Sequence, residues 1–173
     1  MTERPIPGEF MPYYQKYVDL APSETCVETL QASWQHAENF FSDITDADGD
    51  TAYAVGKWTV KQMLLHLADA ERIFLYRALR FARKDLRELS GFDENSYADV
   101  AEVSHRTVTD LFEEWCASRQ ASLTFFKGLE SVALTRRGSA NGGASSVRAL
   151  AFIIAGHGEH HISVLKARYG FGG

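Results

Sequence analysis

The chain has 173 residues, of which 45% are hydrophobic and 24% charged, with a formal net charge of −5. These values are ordinary for a soluble globular protein, and the length suits one domain over residues 1–173 with room for a real core. The acidic balance argues against a nucleic-acid partner, because phosphate binding calls for a basic face. No apolar run approaches a membrane span, and no hydrophobic leader follows Met1-Thr2-Glu3-Arg4-Pro5, so a cytoplasmic location is expected. Cys26 and Cys116 lie far apart without a C-x-x-C and read as small core residues rather than a disulfide.

Residues 1–22 are expected to form an N-terminal arm. Pro5, Pro7 and Pro12 interrupt it, and Phe10, Tyr13, Tyr14 and Tyr17 give it an aromatic face, so it should lie extended on the rest of the chain. The first helix is expected from Ser23 to Phe41, with Val27, Leu30, Trp34, Ala37 and Phe41 spaced by threes and fours. Residues 43–56, rich in Asp and Gly, read as a loop.

The second helix opens on Thr59-Val60-Lys61-Gln62, the pattern of a capping box, and should run to Arg83. A long loop over residues 84–103 follows, with one helical turn near Tyr97. The third helix is expected over residues 106–129, where Val108, Leu111, Phe112, Trp115, Leu123 and Phe126 make the apolar stripe. Residues 136–143 read as a loop. Ser145 or Ser146 then caps a last helix that ends at Gly170. Four helices and no competing strand pattern give an all-α class: a four-helix bundle with an extended N-terminal arm.

Chemistry concentrates on histidines. In the last helix, Gly156-His157-Gly158-Glu159-His160-His161 allows His157 to pair with His161 or with His160. At about 100° per residue, Leu150, Ile154 and Leu165 fall within about 80° of His157, on the side that also holds His161. His160 lies about 60° round the other way, at the edge of the apolar stripe. His157 and His161 therefore point inward, and His160 is read as a rim residue that orients a ligand. Glycine at 156 and 158 costs helix stability, which implies that something approaches the backbone there. On the second helix His66 falls in line with Met63, Ala70, Ile73 and Arg77, so it also projects inward. Three inward imidazoles suggest a divalent metal site at His66, His157 and His161 that keeps coordination positions free. The alternative is three separately satisfied core histidines. His36 and His105 are expected at the surface.

Other metal templates do not fit. There is no His-Glu-x-x-His, the cysteines are not clustered, and Glu102 to His105 is the lone Glu-x-x-His, in a loop. Neither a phosphate-binding glycine loop nor a Gly-x-Ser-x-Gly elbow occurs.

Several residues together resemble a known family. Lys57-Trp58-Thr59-Val60-Lys61-Gln62-Met63-Leu64-Leu65-His66-Leu67-Ala68-Asp69-Ala70-Glu71-Arg72, then Tyr76-Arg77-Ala78-Leu79-Arg80, Gly91-Phe92-Asp93-Glu94-Asn95 and Ala155-Gly156-His157-Gly158-Glu159-His160-His161 resemble the DinB/YfiT-like family of metal-dependent proteins. The resemblance spans helices two to four. It implies a four-helix bundle whose three metal-binding histidines fall on His66, His157 and His161, with nickel or zinc the typical ion. It also implies an activity in the range of the family, which includes thiol S-transferases and proteins assigned as hydrolases.

The leading expectation is transfer of a low-molecular-weight thiol to an electrophilic small molecule. Arg77 would hold an anionic group of the thiol or substrate, or alternatively form an inter-helix salt bridge. Asp69 would orient an imidazole or stand as a solvated charge, and Glu71 with Arg72 reads as an inter-helix or surface pair. Trp58 is expected to pack at the helix start, with Tyr13, Tyr14 and Tyr17 roofing a cavity. Metal-dependent hydrolysis is the alternative, weakened by the lack of an obvious inward carboxylate. A non-catalytic metal- or ligand-binding bundle, or a stress-induced one, is a further reading. Pairing of two copies as a homodimer is also expected from bundles of this kind.

Overall fold

The computed structural model describes residues 3–172. The first two residues of the arm and the final glycine lie outside that range. Four long helices form the bundle: α2 (Cys26–Phe41), α3 (Val60–Ala82), α5 (Val108–Lys127) and α7 (Val147–Val164). Shorter helices accompany them: α1 (Gln15–Leu20), α4 (Glu94–Val100) and α6 (Ser131–Leu134).

The helix starts follow from local chemistry. The Thr59 hydroxyl accepts from the Gln62 amide at 3.1 Å, and Gln62 Oε1 accepts from the Thr59 amide at 2.9 Å, closing the capping box expected there. The first helix begins three residues later than Ser23, because Thr25 is the side chain that accepts from the Glu28 amide. Ser146 caps α7 through the Ala149 amide. After Val164 the chain widens into a π-type turn over Leu165–Tyr169 and stops at Gly170, whose φ of 79° only glycine adopts freely.

Two expectations are corrected. The arm is not wholly extended, since a 3₁₀ turn at Pro12–Tyr14 leads into α1, which packs along α7. Pro12 sits at the first position of that turn, where its missing N–H costs nothing. Nor is the segment after α6 simply a loop. Strands β1 (Arg137–Ala140) and β2 (Gly143–Ser146) form an antiparallel hairpin, with Asn141 at φ 54° and Gly142 at φ 74° making its two-residue turn. The hairpin also holds the loop before α4: the Leu89 amide donates to the Ser139 carbonyl at 3.0 Å, and the Asn141 amide donates to the Leu89 carbonyl at 2.9 Å. In the segment where one turn near Tyr97 was expected, α4 runs for seven residues from an Asp93 cap.

Helix α7 is the axis of the molecule. Every residue from Val147 to Gly158 except Arg148 is buried, which a helix apolar all round requires. Helices α1, α2 and α3 surround it, and α5 closes against α2 and α3. The apolar core divides into two clusters. One lies around Phe81, Phe152 and Ile153, and the other around Leu64, Trp115 and Leu165. Cys26 belongs to the first as a free, buried thiol, and Cys116 is a half-buried free thiol. No described helix is long and apolar enough to cross a membrane.

Candidate metal centre

Helices α3 and α7 face one another, and that contact brings three histidines together. Nε2 of His157 lies 3.1 Å from Nε2 of His66 and 3.1 Å from Nε2 of His161. One possible ligand atom from each of the three residues falls within 4.8 Å of the others. Metal–nitrogen bonds of about 2.1 Å place neighbouring nitrogens about 3.0 to 3.4 Å apart, depending on whether the ion is octahedral or tetrahedral. The spacing fits one ion.

Proton chemistry gives an independent test of fit. An imidazole nitrogen carries either one N–H or one lone pair, in the ring plane. Nε2 of His157 therefore cannot serve as a full partner to both neighbours, whichever tautomer it takes. Nδ1 of His161 is buried with no hydrogen-bond partner among the described residues, so that ring's polar contact runs through Nε2. Burial pushes His66 down to about 4 and holds His157 and His161 well below the usual histidine range. Burial thus favours the neutral form of all three rings, in which an imidazole nitrogen can offer its lone pair to a cation.

The trio borders a cavity of about 570 Å³. Tyr13, Tyr14 and Tyr17 from the arm and α1 line it, as the sequence suggests, together with Lys16. Tyr17 meets the His157 ring edge-on at 5.2 Å. Trp58 is more than a helix-start contact, because its ring centroid stands 4.8 Å from that of His66. His160 lines the cavity, half-buried, with its ring 5.4 Å from Tyr17 and outside the nitrogen trio.

Arg77 also lines the cavity, and it is only 4% exposed. Its Nη2 donates to the Ser90 carbonyl at 3.2 Å, and its guanidinium lies 5.7 Å from the Phe74 ring centre. No carboxylate lies within 4 Å of it among the described residues, so the inter-helix salt bridge is not what holds it. Asp69 is half-buried against Arg72 at 3.2 Å and makes no bond to an imidazole. Glu71 and Arg72 do not pair with each other. Arg72 reaches Glu114 at 2.6 Å, while Glu71 takes Arg119 Nε at 2.7 Å and Trp115 Nε1 at 2.8 Å. Glu71, Trp115, His157 and Gly158 border one small void, so the Glu71 end of this buried pair sits close behind His157. His36 is on the surface of the α2–α7 contact, bonded to Glu159 at 2.7 Å, and His105 is exposed.

Sequence reasoning missed Glu94. This half-buried carboxylate at the start of α4 lines the same cavity as Arg77 and the histidines. Its signal was present in Gly91-Phe92-Asp93-Glu94-Asn95, but tertiary contacts bring that segment to the cavity: the hairpin holds Leu89, Arg77 holds the Ser90 carbonyl and Gln62 the Ala98 carbonyl. Asn141, from the hairpin turn, is a second lining residue, and its sequence signal speaks for the turn alone and not for the cavity.

The family model of the DinB superfamily matches residues 29–165. The chain belongs to the DinB superfamily. A relative from Oceanobacillus iheyensis, named as a candidate metal-dependent hydrolase, is 28% identical over 137 residues, covering 73% of each chain. Among solved structures, YfiT from Bacillus subtilis superposes with a TM-score of 0.66 at 18% identity, covering 96% of this chain and 93% of YfiT. YfiT is described as a candidate metal-dependent hydrolase with an unusual four-helix bundle topology. That likeness establishes the fold: a four-helix bundle, to which the hairpin contributes a minor two-stranded sheet.

Proposed function

We propose that this chain is a metal-dependent enzyme in which His66, His157 and His161 hold one divalent ion, nickel or zinc. We further propose that it transfers a low-molecular-weight thiol to a small electrophile. The supporting observation is the convergence of three Nε2 atoms on the wall of a cavity that also contains a buried guanidinium with no carboxylate partner among the described residues. A divalent ion with open positions lowers the pKa of a bound water or thiol, which yields a nucleophile near neutral pH.

The chain's own residues do the rest. Arg77 binds an anionic group of the thiol, since a buried guanidinium without a carboxylate is stabilised by one that the ligand brings. Tyr13, Tyr14 and Tyr17 keep water from the ligand, and His160 offers it a hydrogen bond from the rim. In the reaction the thiol sulfur bonds to the electrophilic carbon, the leaving group departs with the bonding pair, and the thiol proton passes to water. Free thiols at Cys26 and Cys116 fit a reducing cytoplasm in which such thiols are held.

Hydrolysis of a small ester or amide is the second reading, favoured by Glu94 as a base for water and by the hydrolase names of the relatives. Metal-loaded protein incubated with bacillithiol, mycothiol or glutathione and 1-chloro-2,4-dinitrobenzene separates the two. Metal-dependent conjugation that His157→Ala abolishes supports transfer. Turnover of a nitrophenyl ester without any thiol supports hydrolysis. Neither activity leaves a bundle that binds a metal or small ligand without catalysis.

A further inference from the structure

Trp58 and His161 border a second cavity as well. This adjoining cavity of about 190 Å³ is lined by Tyr53, Trp58, Met63, His161, Val164 and Tyr169, so it shares Trp58 and His161 with the larger cavity. The two differ in chemistry. The larger one carries Arg77, Lys16 and Glu94, whereas the smaller is walled by three aromatic side chains, a thioether and a valine. Its frame is braced: the Tyr169 hydroxyl donates to the Trp58 carbonyl at 2.6 Å, and the Tyr53 and Tyr169 rings meet edge-on at 5.2 Å. The Trp58 and His161 rings lie 19° from parallel. Lys57 and Asn95 add polar groups to the wall.

We propose that this cleft binds a small, uncharged aromatic molecule carrying one polar substituent, and that such a molecule is the electrophilic co-substrate. The size is right, since an apolar cavity of about 150 Å³ holds one benzene ring. The rings of Tyr53, Trp58 and Tyr169 provide edge and face contacts, and Lys57 donates to a substituent oxygen. An anionic thiol in the larger cavity and an aromatic electrophile in the smaller then meet where the cavities adjoin, so that the sulfur bonds to a carbon of the electrophile, its leaving group departs with the bonding pair and the thiol proton passes to water. The co-substrate role rests on the reading of the histidines as a reaction centre; the binding of the ring does not.

The test is therefore a binding measurement first. In a ¹⁹F NMR titration, 4-fluorobenzyl alcohol should bind saturably to the wild-type protein, with or without metal. Val164→Phe fills the cleft from a half-exposed position at the end of α7 and should weaken that binding about tenfold or more, with Val164→Ala retaining it. No saturable binding, or equal binding by Val164→Phe, overturns the proposal. With active enzyme, Val164→Phe should raise KM for the aromatic electrophile about tenfold and leave KM for the thiol unchanged. An equal rise in both contradicts the division of the two cavities. If the enzyme shows no turnover, the function proposed above fails while the titration still decides the cleft.

Discussion

The carbonyl oxygen of Tyr17 lies 1.8 Å from the point where a Cβ on Gly156 would stand. Only glycine lets α1 lie this close to α7, and that approach carries Tyr13, Tyr14 and Tyr17 over the histidines. Gly156→Ala gains about 1 kcal/mol in helix propensity but forces backbone apart, at a cost of about 1 to 3 kcal/mol. We expect a net loss of stability and faster amide exchange over residues 12–20. An unchanged melting temperature with unchanged exchange would contradict the packing argument.

The second prediction separates neighbouring histidines. His161→Ala removes one of three converging nitrogens, whereas His160→Ala removes a rim ring outside the trio. Metal content measured by elemental analysis should fall sharply in the first and little in the second. Equal losses would mean that the pairing on α7 is wrong.

Arg77→Met should leave the metal in place. Because no carboxylate among the described residues pairs with Arg77, its loss strands no buried anion there, and the folded state should survive. A charge-assisted hydrogen bond is worth about 1.5 to 3 kcal/mol, so affinity for an anionic thiol should drop about tenfold to a hundredfold. An unfolded variant would assign Arg77 a structural role instead.

Glu71 (3% exposed), close behind His157, and Arg119 (1% exposed) form a fully buried pair, with Arg119 also donating to the Leu30 carbonyl and to Ser33. Glu71→Gln leaves a buried guanidinium uncompensated and should cost about 3 to 5 kcal/mol in a denaturant titration. The double variant Glu71→Gln with Arg119→Met should lose less than the two single losses added together. Additive losses would show that the pair is not coupled.

Acid should loosen the arm. Hydrogen bonds from Arg148 and Ser146 hold the Glu9 carboxyl below its ordinary value of 4.5, against the opposing effect of burial. Above that value Glu9 is ionised whether the chain is folded or not, and its stabilisation is complete. As pH falls through it, the unfolded chain takes up a proton that the folded chain refuses, and stability is lost. Melting temperatures followed from about pH 5 to about pH 3 should fall less steeply for Glu9→Gln than for the wild type. Parallel slopes would remove Glu9 from the acid response.

These experiments also mark how far the sequence can be read. The histidine trio was legible because helical spacing alone places His157 and His161 on one face and His66 inward on another. Helix starts were legible where a local side chain caps them, as Thr59 and Gln62 do. Helix α1 was not, because a segment broken by Pro12 has little helical tendency of its own and is held by Gly156. The hairpin was not, because Gly138 and Ser139 are poor strand formers, although Asn141-Gly142 is a strong turn signal. The Glu71–Arg119 pair and the placement of Glu94 depend on contacts between distant segments, which no local pattern encodes.

One measurement bears on the whole reading: divalent-metal stoichiometry in protein purified without an affinity tag, for the wild type and for His157→Ala, alongside circular dichroism. His157 touches both other rings, so the expected result is one ion per chain in the wild type and none in the variant, with helix content unchanged. A wild-type protein without a stoichiometric ion, or a variant that keeps it, would contradict the metal centre and the chemistry built on it.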